Sequence, residues 1–218
     1  MARDDFYASA LGSVYSAYME RPWLARVISP MVWGGDLRPY YEDMRAVEAV
    51  REGGTVVDCP CGAGPALRAL GPDRKLRYVA VDLSPSMLAR AQRRAERRGI
   101  RAEFVRSSAT SIPLADDSAD LFLSFWGLHC FEDPAAAIAE AARVLAPGGR
   151  LVGSTFVRGD DSLRQRLLIR PGTGDFGSVP TADEVESYLT AEGLVAEFRR
   201  CGPMLYFEAH LGHIARAV

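Results

Sequence analysis

The segment VVDCPCGAG, from Val56 to Gly64, decides the fold of this chain. Its first residues read as a short buried strand, and that strand ends in an acidic residue, Asp58. Gly62 and Gly64 then form a turn in which a ligand approaches the backbone closely and meets the N–H groups of the next helix. The segment therefore predicts a ligand-binding turn. Two glycines in a turn are common, however, and do not identify the ligand by themselves.

From Gly53 onward, short apolar runs alternate with helical patterns along the chain. The predicted strands are 55–59, 78–82, 102–106, 121–125 and 150–156, and the predicted helices between them are 65–70, 84–99 and 133–146. A capping box, Thr181-x-x-Glu184, opens a further helix. The last two apolar runs, 195–198 and 204–210, are joined by a turn so short that they must pair antiparallel.

This alternation predicts an α/β fold. We expect a Rossmann-like, seven-stranded, mostly parallel sheet with helices on both faces and an antiparallel C-terminal strand. Residues 1–50 are helical in character and rich in aromatic side chains, so we interpret them as an N-terminal cap over the core formed by residues 51–218. A second segment outside the alternation, from Arg158 to Pro180, is charged and then rich in glycine and proline.

Charge and composition are those of an ordinary globular protein. The chain has 218 residues, 48% of them apolar, and a net charge of −2, which favours neither nucleic acid nor an anionic membrane as a partner. The arginine-rich run 90–101 reads as the solvated face of a surface helix. Because no apolar run approaches the ~20 residues needed to span a bilayer and no signal peptide is evident, we expect a cytoplasmic protein without a membrane span.

The cysteines and histidines do not indicate a metal site. The four cysteines at 59, 61, 130 and 201 are too few and too scattered for a disulfide scaffold, and the C-x-C spacing lacks a second ligand pair. His210 and His213 have a metal-binding spacing only on a helix, whereas the pattern predicts a strand there. The sequence predicts no metal.

An acidic residue at the end of the second strand narrows the ligand to a nucleoside. Asp82 follows the turn by roughly 20 residues, where a carboxylate can accept both hydroxyls of a ribose. A dinucleotide cradle would have a third glycine, but Leu67 stands there, and Pro65 removes an N–H from the helix start. A nucleoside without phosphate fits better, although a nicotinamide-dependent oxidoreductase stays open as the alternative.

Five segments in order resemble the class I S-adenosylmethionine-dependent methyltransferases, especially the branch of ubiquinone and menaquinone biosynthesis. They are VVDCPCGAG, VAVDLSPSMLARA, RSSATSIPLADDSADL, LFLSFWGLHCFEDP and ARVLAPGGRL, within residues 55–156. The resemblance implies S-adenosylmethionine as cofactor and methyl transfer to a small, apolar metabolite. The cofactor-binding residues that it implies are Asp58, Pro60, Cys61, Gly62, Gly64, Asp82, Leu83, Met87, Ser108, Ala109 and Phe125.

Two positions depart from the pattern of that family. Pro60 stands in place of the first glycine and cannot take a positive φ, and Ser108 stands in place of the acid that usually meets the adenine. Both changes bear on the affinity for the cofactor more than on its identity. They keep open a second alternative, an S-adenosylmethionine-binding protein without catalysis.

His129 is the candidate catalytic residue. By the resemblance it borders the transferred methyl group, and an ordinary histidine pKa of about 6.5 suits a general base near neutrality. A histidine that only satisfies hydrogen bonds in its loop is an equally good interpretation. Methyl transfer is an in-line displacement in which positioning and desolvation can suffice, so no base is obligatory. The acceptor atom, oxygen, nitrogen or carbon, and the oligomeric state are left open by the sequence.

Overall fold

The computed structural model describes residues 21–32, 34–159 and 179–212. Within these residues seven strands form one sheet: β1 Thr55–Asp58, β2 Arg77–Asp82, β3 Glu103–Arg106, β4 Ala119–Phe125, β5 Leu145–Phe156, β6 Leu194–Cys201 and β7 Met204–Leu211. The α-helices are α1 Pro22–Val32, α2 Arg38–Asp43, α3 Pro85–Arg97, α4 Pro134–Val144 and α5 Ala182–Ala191. Three 3-10 helices span Met44–Ala49, Pro65–Ala69 and Leu128–Cys130.

The strand order is β3-β2-β1-β4-β5-β7-β6, and β1 to β5 pair in parallel. β7 is antiparallel to both β5 and β6, as the short turn at 201–203 predicts. The predicted fold class is therefore confirmed. The order reverses between β1 and β4, and at such a switch point the carboxyl ends of the strands leave a crevice where α/β proteins bind ligands.

Local sequence signals start the helices where the pattern predicts. The Ser84 hydroxyl accepts the N–H of Met87 at 3.3 Å and caps α3. The capping box of α5 is complete, because Thr181 Oγ1 accepts the N–H of Glu184 at 3.1 Å and the Glu184 carboxylate accepts the N–H of Thr181 at 2.7 Å. These contacts fix the two helix starts independently of the sheet.

Apolar side chains cover both faces of the sheet. One core contains α3, the N-terminal helices and the 3-10 helix at 65–69, and the other contains α4 and α5. Parallel strands covered in this way are apolar on both faces, which is why β1, β2 and β4 are almost wholly buried. None of the helices within the described residues is long and apolar enough to cross a membrane.

Two elements differ from the pattern-based expectation. The helix predicted at 65–70 is a 3-10 helix of five residues, since the Gly71-Pro72 turn leaves no room for an α-helix to continue. The strand predicted at 150–156 begins earlier, at Leu145. Residues 147–149 therefore lie inside β5 as an irregularity, where the register with β4 shifts between Ala119 and Leu121.

Candidate functional site

The turn after β1 is held by backbone hydrogen bonds to both neighbouring strands. The N–H of Cys59 donates to the carbonyl of Leu123 on β4 at 2.9 Å, and the N–H of Cys61 donates to the carbonyl of Val81 on β2 at 2.8 Å. Backbone donors that would otherwise be unpaired at the end of β1 are thereby satisfied. The turn is consequently a fixed part of the crevice at the switch point.

The two glycines of the turn have different surroundings. Both have a positive φ, 51° at Gly62 and 72° at Gly64, which L side chains rarely adopt. A Cβ at Gly62 would meet nothing within 4 Å, whereas a Cβ at Gly64 would lie 2.7 Å from Leu67 Cδ1 and 3.1 Å from Ala91 Cβ. Gly62 therefore borders open space, and Gly64 allows α3 to pack closely.

The carboxylate of Asp82 joins the turn to the end of β2. Its Oδ2 accepts the N–H of Gly62 at 2.8 Å, and its Oδ1 accepts the N–H of Ser84 at 2.9 Å. Each carboxylate oxygen has a second acceptor site, so the group can also accept hydroxyls from a ligand. The next side chain, Leu83, is 62% exposed and offers an apolar surface beside the carboxylate.

Asp58 points into the core below the turn. Its carboxyl group is buried and accepts the hydroxyl of the equally buried Tyr78 at 2.6 Å. Burial raises the pKa of Asp58 to about 7, the hydrogen bond from Tyr78 opposes this rise, and the charge of Asp82 adds to it. The sequence did not reveal Tyr78 as a partner, because the two residues meet only through the pairing of β1 with β2.

Replacing Asp58 by asparagine should change how stability depends on pH. The folded chain holds the proton up to about pH 7 and the unfolded chain only up to about pH 4. Between these values the contribution of this group to the free energy of unfolding falls as the pH rises, by up to about 1.4 kcal/mol per pH unit. The free energy of unfolding of Asp58→Asn, relative to that of the unmodified chain, should therefore rise from about pH 4 to pH 7. Above pH 7 the difference should stay constant.

Urea unfolding at a series of pH values tests this expectation. Asp73→Asn makes the same chemical change at an exposed carboxyl group and serves as the control. If the Asp58→Asn curve ran parallel to that of the unmodified chain, the raised pKa of Asp58 would be refuted.

Pro60 and Cys61 fill the space between two turns. A Cβ at Gly127, just after β4, would lie 2.6 Å from Pro60 Cδ, so the proline ring lies directly on that glycine. The Cys61 thiol is buried, and burial raises its pKa well above the ordinary value, which keeps the thiol protonated. The side chain of Cys61 is therefore structural, while its backbone lies next to Gly62.

Three more of the predicted cofactor-binding residues lie around the ends of β2 and β3. Met87 is buried in the first turn of α3. Ser108 lies in the loop after β3, where its hydroxyl is 2.9 Å from that of Thr110, and Ala109 is partly buried against the core. Ser108 is thus already hydrogen-bonded within its own loop, and its contact with an adenine stays a prediction.

Aromatic side chains gather at the carboxyl ends of β4 and β5. The ring of Trp126 lies 5.2 Å from Phe156 and 5.5 Å from Tyr40, and Tyr40 lies 5.6 Å from Phe125. These four residues are called the aromatic cluster below. Trp126 has a positive φ of 58°, a strained conformation that is concentrated at functional sites. Because Tyr40 belongs to α2, the described part of the N-terminal segment reaches the strand ends.

His129 borders this cluster from the 3-10 helix after β4. Its ring is buried and packs edge-on against Phe156 at 4.9 Å. Its Nδ1 is 3.1 Å from Thr155 Oγ1 and accepts the N–H of Phe156 at 3.2 Å. The sequence suggested His129 as a base but gave no sign of these two partners on β5.

The described residues form no metal site. No group of three or more His, Cys, Asp or Glu side chains among them could hold a metal ion. His210 lies on β7, and His213 is outside the described residues, as are residues 1–20, Trp33 and the greater part of the Arg158–Pro180 segment.

Comparison with known proteins decides the family. The family described as a methyltransferase domain matches residues 57–153, which include Gly62, Gly64, Asp82 and the whole of β4. Demethylmenaquinone methyltransferase of Thermus thermophilus is 33% identical over 193 residues, covering 81% of this chain and 86% of that protein. The chain belongs to the class I S-adenosylmethionine-dependent methyltransferases.

Two further proteins resemble this methyltransferase, one in sequence and one in fold. The ubiquinone/menaquinone biosynthesis C-methyltransferase UbiE of Paracoccus denitrificans is 34% identical over 133 residues, so this chain covers only 53% of that protein. A chain from the complex of the Haloferax volcanii Trm112 methyltransferase activator with a methyltransferase is 20% identical, with a TM-score of 0.69 over 97% of this chain and 98% of that chain. The second likeness concerns the fold.

The cofactor of the methyltransferase is S-adenosylmethionine, and the residues present fit it. Three features fit a nucleoside cofactor that has no phosphate: open space at Gly62, a carboxylate at Asp82 and the exposed apolar side chain of Leu83. The nicotinamide alternative is not favoured, because Leu67 and Pro65 stand where a pyrophosphate cradle needs glycine and an N–H.

Proposed function

We propose that this methyltransferase methylates a reduced quinone or a similarly flat, apolar phenol. The observation that carries the proposal is the aromatic cluster, which gathers three rings at the ends of β4 and β5 and one ring from α2. Trp126 is the half-buried member of the cluster, and an acceptor that meets its ring meets a flat aromatic surface, which favours a planar apolar molecule. The relatives from Thermus thermophilus and Paracoccus denitrificans, named for menaquinone and ubiquinone synthesis, support the same class.

Cofactor binding is assigned to the crevice at the switch point. In this proposal Asp82 accepts the ribose hydroxyls, Leu83 covers the adenine, and the backbone at Gly62 lies against the cofactor. Pro60, Cys61, Gly64 and Met87 shape the crevice from behind, Ser108 and Ala109 border the adenine, and Phe125 lies near the methionine part. When bound, S-adenosylmethionine supplies an electrophilic methyl group on a sulfonium.

The N-terminal segment is assigned to a cap over the acceptor. The contacts of Tyr40 with Phe125 and Trp126 support this role for the described part of residues 1–50, and residues 51–218 then form the catalytic core. Closing a site in this way excludes water and commits the substrate. We further propose that the protein works in the cytoplasm on a small molecule.

Thermal unfolding with added ligands tests the cofactor assignment. S-adenosylhomocysteine at about 100 times its Kd should add about 2.7 kcal/mol of stability, a rise in Tm of roughly 5 to 10 °C for a chain of this length. NAD at the same concentration should leave Tm unchanged. Stabilisation by NAD and not by S-adenosylhomocysteine would contradict the cofactor.

Methyl transfer from labelled S-adenosylmethionine to naphthohydroquinone, kept reduced under argon, tests the acceptor class. We expect label in a product one methyl group heavier, and inhibition by S-adenosylhomocysteine. Cofactor binding without transfer to this acceptor or to a metabolite extract would favour the non-catalytic alternative. Transfer only to an extract metabolite that is neither a phenol nor a hydroquinone would refute the phenol class and leave the enzyme activity standing.

A further inference from the structure

The strand at one end of the sheet, β6, has a long edge that no described strand covers, called the free edge below. β6 is last in the strand order, and its eight residues pair with β7 in one unbroken register. β3, at the opposite end, has only four residues. Proteins usually protect an edge strand by making it short, by a bulge or by a proline, and β6 has none of these features. The free edge can therefore accept a further strand.

The turn after β6 determines which backbone groups face the free edge. The two-residue turn 202–203 joins Cys201 to its partner Met204, and Gly202 has a positive φ of 58°. Two-residue hairpins close on a hydrogen-bonded pair, and hydrogen-bonded and non-hydrogen-bonded pairs then alternate along the ladder. Every second residue of β6, at positions 194, 196, 198 and 200, therefore directs its N–H and carbonyl away from β7. A second strand would bond to these groups.

The charged side chains of β6 indicate which strand fits the free edge. Glu197 and Arg199 are exposed and lie on the same face of the sheet, because they are two positions apart. Within the described residues Glu197 forms no ion pair, and its neighbour across the ladder is another carboxylate, Glu208. Arg199 bonds Asp43 through one nitrogen, yet its side chain is 54% exposed, so its other N–H groups can bind a second carboxylate. β6 thus offers a carboxylate that lacks a cation and a guanidinium with accessible donors.

We propose that two copies of this chain pair through the free edges of β6, antiparallel and with the two Phe198 residues opposite each other, to form one continuous sheet. In this two-fold arrangement Glu197 of each copy lies opposite Arg199 of the other. A shift of the two-fold axis by one residue would place Glu197 opposite Glu197 or Arg199 opposite Arg199, and like charges directly opposite are destabilising. The charges therefore favour a second copy as the partner and select its register.

The same register satisfies the free edge and covers an exposed apolar side chain. Positions 196, 198 and 200 of the two copies would exchange about six backbone hydrogen bonds. Val195, which is 56% exposed, would lie opposite Cys201. β5 and β7 separate β6 from β4, so the crevice between β1 and β4 stays open in the pair. The inference therefore does not depend on the proposed function.

Sedimentation analysis of the full chain measures this pairing. At a chain concentration on the order of 100 μM we expect a dimer that dissociates on dilution, because a single pair of strands buries little surface. Glu197→Arg places an arginine opposite Arg199 at both ends of the pairing, and we expect this variant to sediment as a monomer. Glu96→Arg makes the same change in charge at an exposed position of α3, and we expect it to remain a dimer.

Mixing two variants tests whether positions 197 and 199 of two copies meet. Arg199→Glu carries two carboxylates on this face and Glu197→Arg carries two guanidinium groups, so each variant alone should be a monomer. Mixed in equal amounts, they should form a dimer with one copy of each, because every charge on one copy then lies opposite a charge of the other sign. Circular dichroism checks that both variants are folded.

A backbone variant covers the case in which Arg199→Glu does not fold without its bond to Asp43. Ala196→Pro removes an N–H that faces the free edge and leaves the ladder with β7 intact, so it should fold and sediment as a monomer. An unmodified chain that is monomeric at this concentration would overturn the proposal, and this includes the case in which β6 pairs with a different protein. A dimer that persists in folded Glu197→Arg or Ala196→Pro would overturn it as well, since the contact would then lie on another surface.

Discussion

Replacing Asp82 by alanine is expected to weaken the binding of S-adenosylmethionine by ~100-fold or more. Two hydrogen bonds from ribose hydroxyls to a carboxylate contribute about 1.5 kcal/mol or more each, and ~3 kcal/mol corresponds to roughly a hundredfold change in Kd. The same substitution removes the acceptor of the Gly62 N–H, so the turn also loses its bond to the end of β2. Isothermal titration with S-adenosylhomocysteine measures the effect.

A matched variant distinguishes the two roles of Asp82. Asn keeps one oxygen acceptor and the size of the side chain but loses the charge, so Asp82→Asn should weaken binding by roughly tenfold while the chain unfolds near its usual temperature. Asp82→Ala should lower the free energy of unfolding by about 1 to 2 kcal/mol, because the N–H groups of Gly62 and Ser84 lose their protein acceptor. Unchanged binding in the alanine variant would show that Asp82 is not the ribose ligand.

Replacing Gly64 by alanine is expected to reduce mainly the stability of the chain, whereas replacing Gly62 by alanine is expected to reduce mainly the affinity for the cofactor. Both positions have a positive φ, which costs about 1 kcal/mol for an alanine. At Gly64 the added Cβ would also meet Leu67 and Ala91, and overpacking adds about 1 to 3 kcal/mol. Gly64→Ala should therefore lower Tm by roughly 4 to 16 °C, and Gly62→Ala by only about 2 to 4 °C.

The order reverses for cofactor binding. The Cβ of Gly62→Ala enters the open space that we assign to the cofactor, so this variant should stay folded and bind S-adenosylhomocysteine at least about tenfold more weakly. Gly64→Ala, measured well below its Tm, should lose less affinity than Gly62→Ala. Equal losses of stability in the two variants would contradict the packing role of Gly64, and normal binding by Gly62→Ala would contradict its place at the cofactor.

The fold could be predicted because its signals are local and repeat along the chain. Buried strands that end in an acid, caps such as Ser84 and Thr181, and the short turn before β7 each predict one element, and the alternation of the elements predicts a parallel sheet. The helix predicted at 65–70 is present as a 3-10 helix, a type that the periodicity of apolar residues does not reveal.

The site could be predicted only as far as its residues carry a motif. Asp58 and Gly64 belong to the motif, yet the carboxyl group of Asp58 contacts Tyr78 and Gly64 packs against α3. No sequence pattern indicates in which direction a turn presents each of its residues. His129 is a similar case, because its partners on β5 are more than 25 positions away and only strand pairing brings them together.

The sequence by itself therefore determined the class of fold, the turn that we assign to the cofactor and the family, because each depends on neighbouring residues and their spacing. Only the tertiary structure shows that the buried carboxyl group of Asp58 accepts a hydrogen bond from Tyr78 and that Gly62, not Gly64, borders the open space. The same holds for the hydrogen bond that the N–H of Phe156 donates to Nδ1 of His129. The physical reason is that burial, protonation and hydrogen bonding depend on groups brought together by the sheet from distant parts of the chain.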